Sequence, residues 1–168
     1  MIAKLVVEGK EFDIEILNPK LQELIAPKKK TGYERVAENN YYWIVDTHSQ
    51  IHCLTECDDV DDEDLYDSAN YYESEVVAGR NARADKLMRQ LRRFTVEHRK
   101  QNLNWDDDET PKWSIYYNYD SNELDRWDIY NSKEFGSICF DSEHTADLAI
   151  GTFRDELIWY FTEYKDSL

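Results

Sequence analysis

The residue types that could do chemistry in this chain are carboxylates, and they come in blocks. One run is Asp58, Asp59, Asp61, Asp62, Glu63 and Asp64, with Asp67 just beyond; the other is Asp106, Asp107, Asp108 and Glu109. Between them the segment from Arg80 to Lys100 is basic, with Arg83, Lys86, Arg89 and Arg93 on one flank at helical spacing. Carboxylates held at phosphate-like spacings can occupy a nucleic-acid-binding groove through the electrostatics that attract the nucleic acid itself. That makes the two runs the candidate partner-binding set. The plain alternative is a pair of solvated loops that keep the chain soluble. The basic helix, set in a negative field, is expected to pair with Asp85, Glu97 or the acidic runs, or to dock a symmetric partner.

Other chemistries fit less well. A calcium loop wants glycine at its sixth position and a bidentate glutamate at its twelfth. Counted from Asp59, those positions hold Asp64 and Asn70. His48, His52, Cys53, Cys57 and Cys139 could form a zinc set on paper, but Cys53-x-x-x-Cys57 is the one short spacing among them, and His52 points away from it on a strand. Cys53 or Cys139 as a nucleophile would need a base and an oxyanion hole, and no sequence elbow supplies them. The five glycines are isolated, so no phosphate-cradling loop is present. No catalytic residue, metal or cofactor is expected.

The elements that must position the acidic runs can be read from patterning. In 168 residues, 36 Asp and Glu oppose 20 Lys and Arg, a net charge of −16. That charge disfavours direct binding to nucleic acid or anionic membrane. At 14% aromatic residues the chain has the large side chains a core needs. No apolar run approaches the roughly 20 residues of a membrane span, and no signal-peptide pattern opens the chain. The three cysteines are expected as reduced thiols.

Strands are expected over 3–7 and 11–17 around an 8–10 turn, then a short helix from Asn18-Pro19 to about Ala26, stopped by Pro27. Residues 1–30 form this hairpin-helix extension, and 31–168 the main domain. Further strands are predicted over 33–36, 41–45 and 50–54, the last two joined by Asp46-Thr47-His48-Ser49. After the first acidic run, taken as a loop, Ser74 caps a long helix to about Lys100 whose apolar stripe keeps three-and-four spacing. A second acidic loop over 102–112 leads into strands at 113–117, 124–130 and 137–140, expected as an antiparallel meander. Asp141 or Ser142 caps a last helix to about Lys165. The class is α+β: a hairpin and short helix, then an antiparallel sheet packed with two long helices.

The stretches Thr31-Gly32-Tyr33-Glu34-Arg35-Val36, Asn81 to Phe94 (NARADKLMRQLRRF) and Asp155-Glu156-Leu157-Ile158-Trp159-Tyr160-Phe161 resemble small accessory proteins of phages and prophages of Gram-positive bacteria. The resemblance covers most of the chain from Thr31 onward and brings no catalytic residues with it. It implies a mobile-element protein made in a host bacterial cytoplasm, where small acidic phage proteins often inhibit host defence, anti-CRISPR and anti-restriction DNA mimics among them. The expected partner is the basic groove of a host nuclease, a CRISPR effector first, or of another defence protein. The alternative is a non-enzymatic phage structural or interaction module that forms a homodimer through the basic helix and exposed tyrosines.

Overall fold

Alternation of apolar and charged residues closes the first hairpin. β1 (Ile2–Val7) pairs antiparallel with β2 (Lys10–Glu15), Leu5 opposite Phe12, and Lys4 Nζ meets Glu11 Oε2 at 2.7 Å on the exposed side. The computed structural model describes residues 2–7, 10–15 and 30–164. The predicted turn at Glu8-Gly9, the end of the second strand and the helix from Asn18 to Ala26 lie outside those residues. The chain divides into two compact units, Met1–Thr31 and Gly32–Leu168.

The larger unit is α+β. β3 (Tyr41–Val45) and β4 (Ile51–Thr55) form a hairpin with Trp43 opposite Cys53. Its turn is organised by Asp46, whose Oδ1 accepts from the backbone N–H of His48 and Gln50, both at 2.8 Å. The outer edge of β3 is covered rather than open, which removes a template for aggregation. Tyr72 exchanges both backbone hydrogen bonds with Trp43 at 2.9 Å, and the Asn70 amide does the same for Val45.

Helix α2 (Glu75–His98) starts where Ser74 Oγ accepts from Val77 N–H, and it buries Ala78, Ala82, Ala84, Leu87, Leu91 and Phe94. It packs on β3 and β4 and also against α3 (Glu143–Trp159), so it is the element shared by the two sheets. The second sheet has the order β6-β5-β7, from β5 (Lys112–Asn118), β6 (Glu123–Ile129) and β7 (Cys139–Phe140). The core gathers Leu87, Leu91 and Phe94 with Phe140, Ala146, Ala149 and Leu157. The alanines let the helices approach closely, and Phe94 meets Phe153 edge-on at 5.5 Å. α3 is kinked at Phe153 and ends in a π turn over Tyr160–Tyr164. Among the described residues no helix is long and apolar enough to cross a membrane.

Three local expectations change. The strands of the larger unit are shared between two sheets, and β7 pairs with β5 rather than β6, so they do not form a meander. Residues 33–36 are not a strand; side chains hold them, with Tyr33 Oη donating to Asn81 Oδ1 and Tyr71 Oη accepting from Val36 N–H while donating to Glu56. The first acidic run is not a loop. It is α1 (Val60–Asp67).

Candidate acidic binding surface

Aspartate is a poor helix former in a helix interior but a good one at its start. Asp59, in extended backbone, accepts from the N–H groups of Asp61 and Asp62. Asp61, Asp62 and Glu63 then occupy the first turn, where the helix dipole favours negative charge. Asp58, at φ 56, makes the left-handed entry that aspartate tolerates better than most residues.

Burial fixes which way α1 faces. Asp62 is 4% exposed, with Oδ1 accepting from Tyr42 Oη at 2.6 Å and Oδ2 from Cys57 N–H at 2.7 Å. Tyr42 stacks on Tyr71 with ring centroids 4.0 Å apart, and Tyr66 of α1 meets Tyr71 edge-on. Beneath them lies a second buried carboxylate, Glu56. It accepts two bonds from Arg35, at 2.9 and 3.2 Å, one from Tyr71 Oη at 2.6 Å and one from Asp58 N–H at 3.0 Å.

These donors decide the titration. The Tyr42 hydroxyl and Cys57 N–H hold Asp62 below the usual aspartate range, and Arg35, then Tyr71, do the same for Glu56 against the cost of burial. Burial, together with hydrogen bonds to the carboxylates, pushes the phenols of Tyr42 and Tyr71 well above their ordinary value.

With Asp62 turned inward, the roughly 100° step per residue spreads Asp61, Glu63, Asp64 and Asp67 over the opposite, outward arc. All four are exposed. The second run is a pinned loop. Asp107 is half-buried and its Oδ1 accepts from the N–H groups of Glu109 (2.9 Å) and Thr110 (3.1 Å), while its own carbonyl takes a hydrogen bond from the buried Lys112 Nζ. Lys112 Nζ also donates to the Tyr130 carbonyl at 2.9 Å. Upstream, Asp141 Oδ2 accepts from Lys100 and Gln101 N–H. Asp106, Asp108 and Glu109 project outward.

The candidate set is therefore corrected at Asp62 and qualified at Asp107. Asp62 is a buried acceptor of the core and offers no charge to a partner, and Asp107 is half-buried with its Oδ1 committed to its own loop. Asp59 is exposed but its Oδ1 caps α1, and Asp58 lies 3.4 Å from Arg35. Sequence reasoning missed Glu56, Arg35, Tyr42 and Tyr71, the residues that hold α1 in place. The Asp59 cap followed by an acidic first turn was the available signal for the helix.

The basic helix does not serve the acidic runs. Arg83 pairs with Glu156 at 2.8 Å and lies over the Trp159 ring, Arg93 reaches Glu97 at 3.6 Å, and Arg89 donates to Ser49 Oγ. Among the described residues no Lys or Arg side chain lies within ion-pair distance of Asp61, Glu63, Asp64, Asp67, Asp106, Asp108 or Glu109.

Cys57, Asp59 and Asp62 bring ligand atoms within 4.8 Å of one another. Both Asp62 oxygens and the capping oxygen of Asp59 already accept hydrogen bonds, so the group fits a helix cap better than a metal. His48 and His52 turn to Asp46 instead, His52 Nε2 at 2.9 Å from Oδ2, and Cys139 is buried, so the zinc set is not assembled. No protein-family model, no curated protein and no solved structure matches the chain.

Proposed function

We propose that this chain is a non-enzymatic acidic binding protein that occupies the basic groove of a nucleic-acid-processing enzyme and excludes the nucleic acid by charge mimicry. In the phage or prophage setting that the resemblance implies, the partner is a host defence nuclease, with a CRISPR effector as first choice, met in the bacterial cytoplasm. The observation that supports this reading is the outward position of Asp61, Glu63, Asp64 and Asp67 on α1 and of Asp106, Asp108 and Glu109 on the second loop, with no Lys or Arg at ion-pair distance among the described residues. Both groups are held from beneath by buried polar contacts, so they offer charge in fixed positions rather than on loose tails.

Binding of this kind is strongly salt-dependent, because the partner's lysines and arginines exchange small ions for carboxylates. Capture from a bacterial lysate with this protein as bait, at low and at high salt, tests it. A nucleic-acid enzyme retained at low salt and released at high salt is the expected result; retention of copies of the bait alone would favour the self-associating module. With the captured enzyme in hand, the variant Asp61→Asn, Asp64→Asn, Asp106→Asn, Asp108→Asn should displace a labelled duplex roughly tenfold less well, since each exposed pair contributes about 0.2–1 kcal/mol. Equal potency of wild type and variant would sink charge mimicry.

A further inference from the structure

The cations on α2 that find no use in the acidic runs converge elsewhere. Lys86, Arg89 and Arg93 follow one another at i, i+3 and i+7, which puts them on one side of the helix. That side faces the turn Thr47-His48-Ser49, and the two elements enclose an open groove of about 410 Å³. This volume is within the range of small-molecule sites. The turn is preset: Asp46 accepts from His48 and Gln50 N–H through Oδ1, Ser49 N–H donates to the Asp46 carbonyl, and Ser49 sits at φ 65. Arg89 is held against Ser49 Oγ, so at least one guanidinium is fixed in place.

The charge around the groove is lopsided for so acidic a chain. No carboxylate is among its lining residues. Two stand close by. Asp46 is occupied by the turn and by His52, and Glu97 takes one edge of Arg93 at 3.6 Å. Lys86 has no ion-pair partner among the described residues.

We infer that this groove is an oxyanion site for the phosphate chain of a small, multiply phosphorylated ligand, held by Lys86, Arg89 and Arg93 with hydroxyl help from Thr47. Arginine forks and a lysine point charge are the usual readers of phosphate oxygens. The net charge of −16 selects the size of the ligand. A long nucleic acid, or a second copy of this chain, would bring its own extended negative field against the whole molecule. A compact anion feels mainly the charges within a Debye length, about 8 Å at physiological salt, and the lining itself supplies three cations and no carboxylate. The site is independent of the acidic surface, so either reading can fail without the other.

Calorimetric titration of the full chain with inorganic tripolyphosphate, pyrophosphate and ATP tests the inference, beside Lys86→Glu with Arg93→Glu. Both changes are at exposed positions, and circular dichroism checks the fold. The expected result is saturable binding of tripolyphosphate and of ATP, weaker for pyrophosphate, and lost by tenfold or more in the double variant, the weight of a charge-assisted contact. Equal affinity for tripolyphosphate and ATP assigns recognition to the phosphates alone; tighter ATP binding adds a contact to the nucleoside while keeping the site. No binding of tripolyphosphate at millimolar concentration would overturn the proposal, as would binding undiminished in the double variant. Size measurement closes the remaining route: salt-sensitive self-association that the same charge reversals abolish would give the groove to a second copy and refute the small-anion assignment.

Discussion

Replacing Asp62 with alanine separates a structural carboxylate from its exposed neighbours. The side chain is 4% exposed and accepts from the Tyr42 hydroxyl and Cys57 N–H. Tyr42 is itself 1% exposed, so its hydroxyl has no route to water once the acceptor is gone. A buried donor left without a partner costs about 1–3 kcal/mol. Cys57 is exposed and its N–H can turn to solvent, which adds little. Against this, the variant no longer buries a carboxylate beside Glu56, an offset of the kind seen when buried charges are removed. The balance is a loss of about 2 kcal/mol, a large share of the roughly 5–15 kcal/mol that holds a domain folded.

Urea unfolding followed by circular dichroism at pH 7 measures the loss, with Asp61→Ala as the control that should stay within about 0.5 kcal/mol of wild type. The sign with pH is also set. Asp62 titrates below its ordinary 3.8 in the fold, so on acidification the unfolded chain takes up its proton first. Its contribution is complete above the ordinary value and disappears as pH falls through the depressed one. The gap between wild type and Asp62→Ala should therefore narrow below about pH 4. Asp62→Ala and Asp61→Ala of equal stability at pH 7 would refute the reasoning, because the burial of Asp62 would then carry no energy.

Three further outcomes follow from individual contacts. Lys112→Met removes the ammonium that ties the Asp107 and Tyr130 carbonyls together, so it should cost about 1–3 kcal/mol and speed amide exchange over residues 106–110; unchanged exchange there would contradict the pinning of that loop. Gly32 sits at φ 87, and a Cβ there would lie 2.7 Å from Val77 Cγ2, so Gly32→Ala should cost about 2–4 kcal/mol and cost less in a Val77→Ala background; equal costs in both backgrounds would dismiss the contact. Mild alkylation read by mass spectrometry should modify Cys53 first, Cys57 more slowly because local desolvation and then the Asp62 charge raise its thiol, and Cys139 only on unfolding; early labelling of Cys139 would count against its burial.

What the sequence disclosed follows the range of the interactions involved. α2 was legible because Ser74 and the stripe from Val77 to Phe94 are local signals, and β3 and β4 because Asp46-Thr47-His48-Ser49 makes its turn from its own side chains. The inward face of α1 was not legible. It depends on Tyr42, 20 residues away, and on a Glu56–Arg35 pair 21 residues apart, which no periodicity reports. A run of aspartates also reads as uniformly solvated, since composition cannot show that one of them has a buried donor waiting. The order β6-β5-β7 was hidden for a related reason: β7 is two residues long, and its pairing to β5 rests on Trp113 opposite Phe140 within the core. Residues 33–36 look like a strand because Tyr and Val favour one, whereas their partners are side chains of Asn81, Glu56 and Tyr71.

Beyond the favourable place of Asp61 and Glu63 in the first turn of α1, the outward carboxylates add little to the fold. α1 is capped by Asp59 and anchored by Asp62 and Tyr66, and the second loop by Asp107, Lys112 and Asp141. Meanwhile a net −16 loads the folded state with self-repulsion that salt relieves. Two consequences can be measured on one protein. The wild-type midpoint for unfolding should rise between low and moderate sodium chloride. The variant Asp61→Asn, Asp64→Asn, Asp106→Asn, Asp108→Asn, four negative charges lighter, should be at least as stable as wild type and respond less to salt. Any weakening of partner capture in that variant then belongs to the surface and not to the fold. A variant clearly less stable than wild type at low salt would show that these carboxylates support the structure, and would remove the reason for assigning them to a partner.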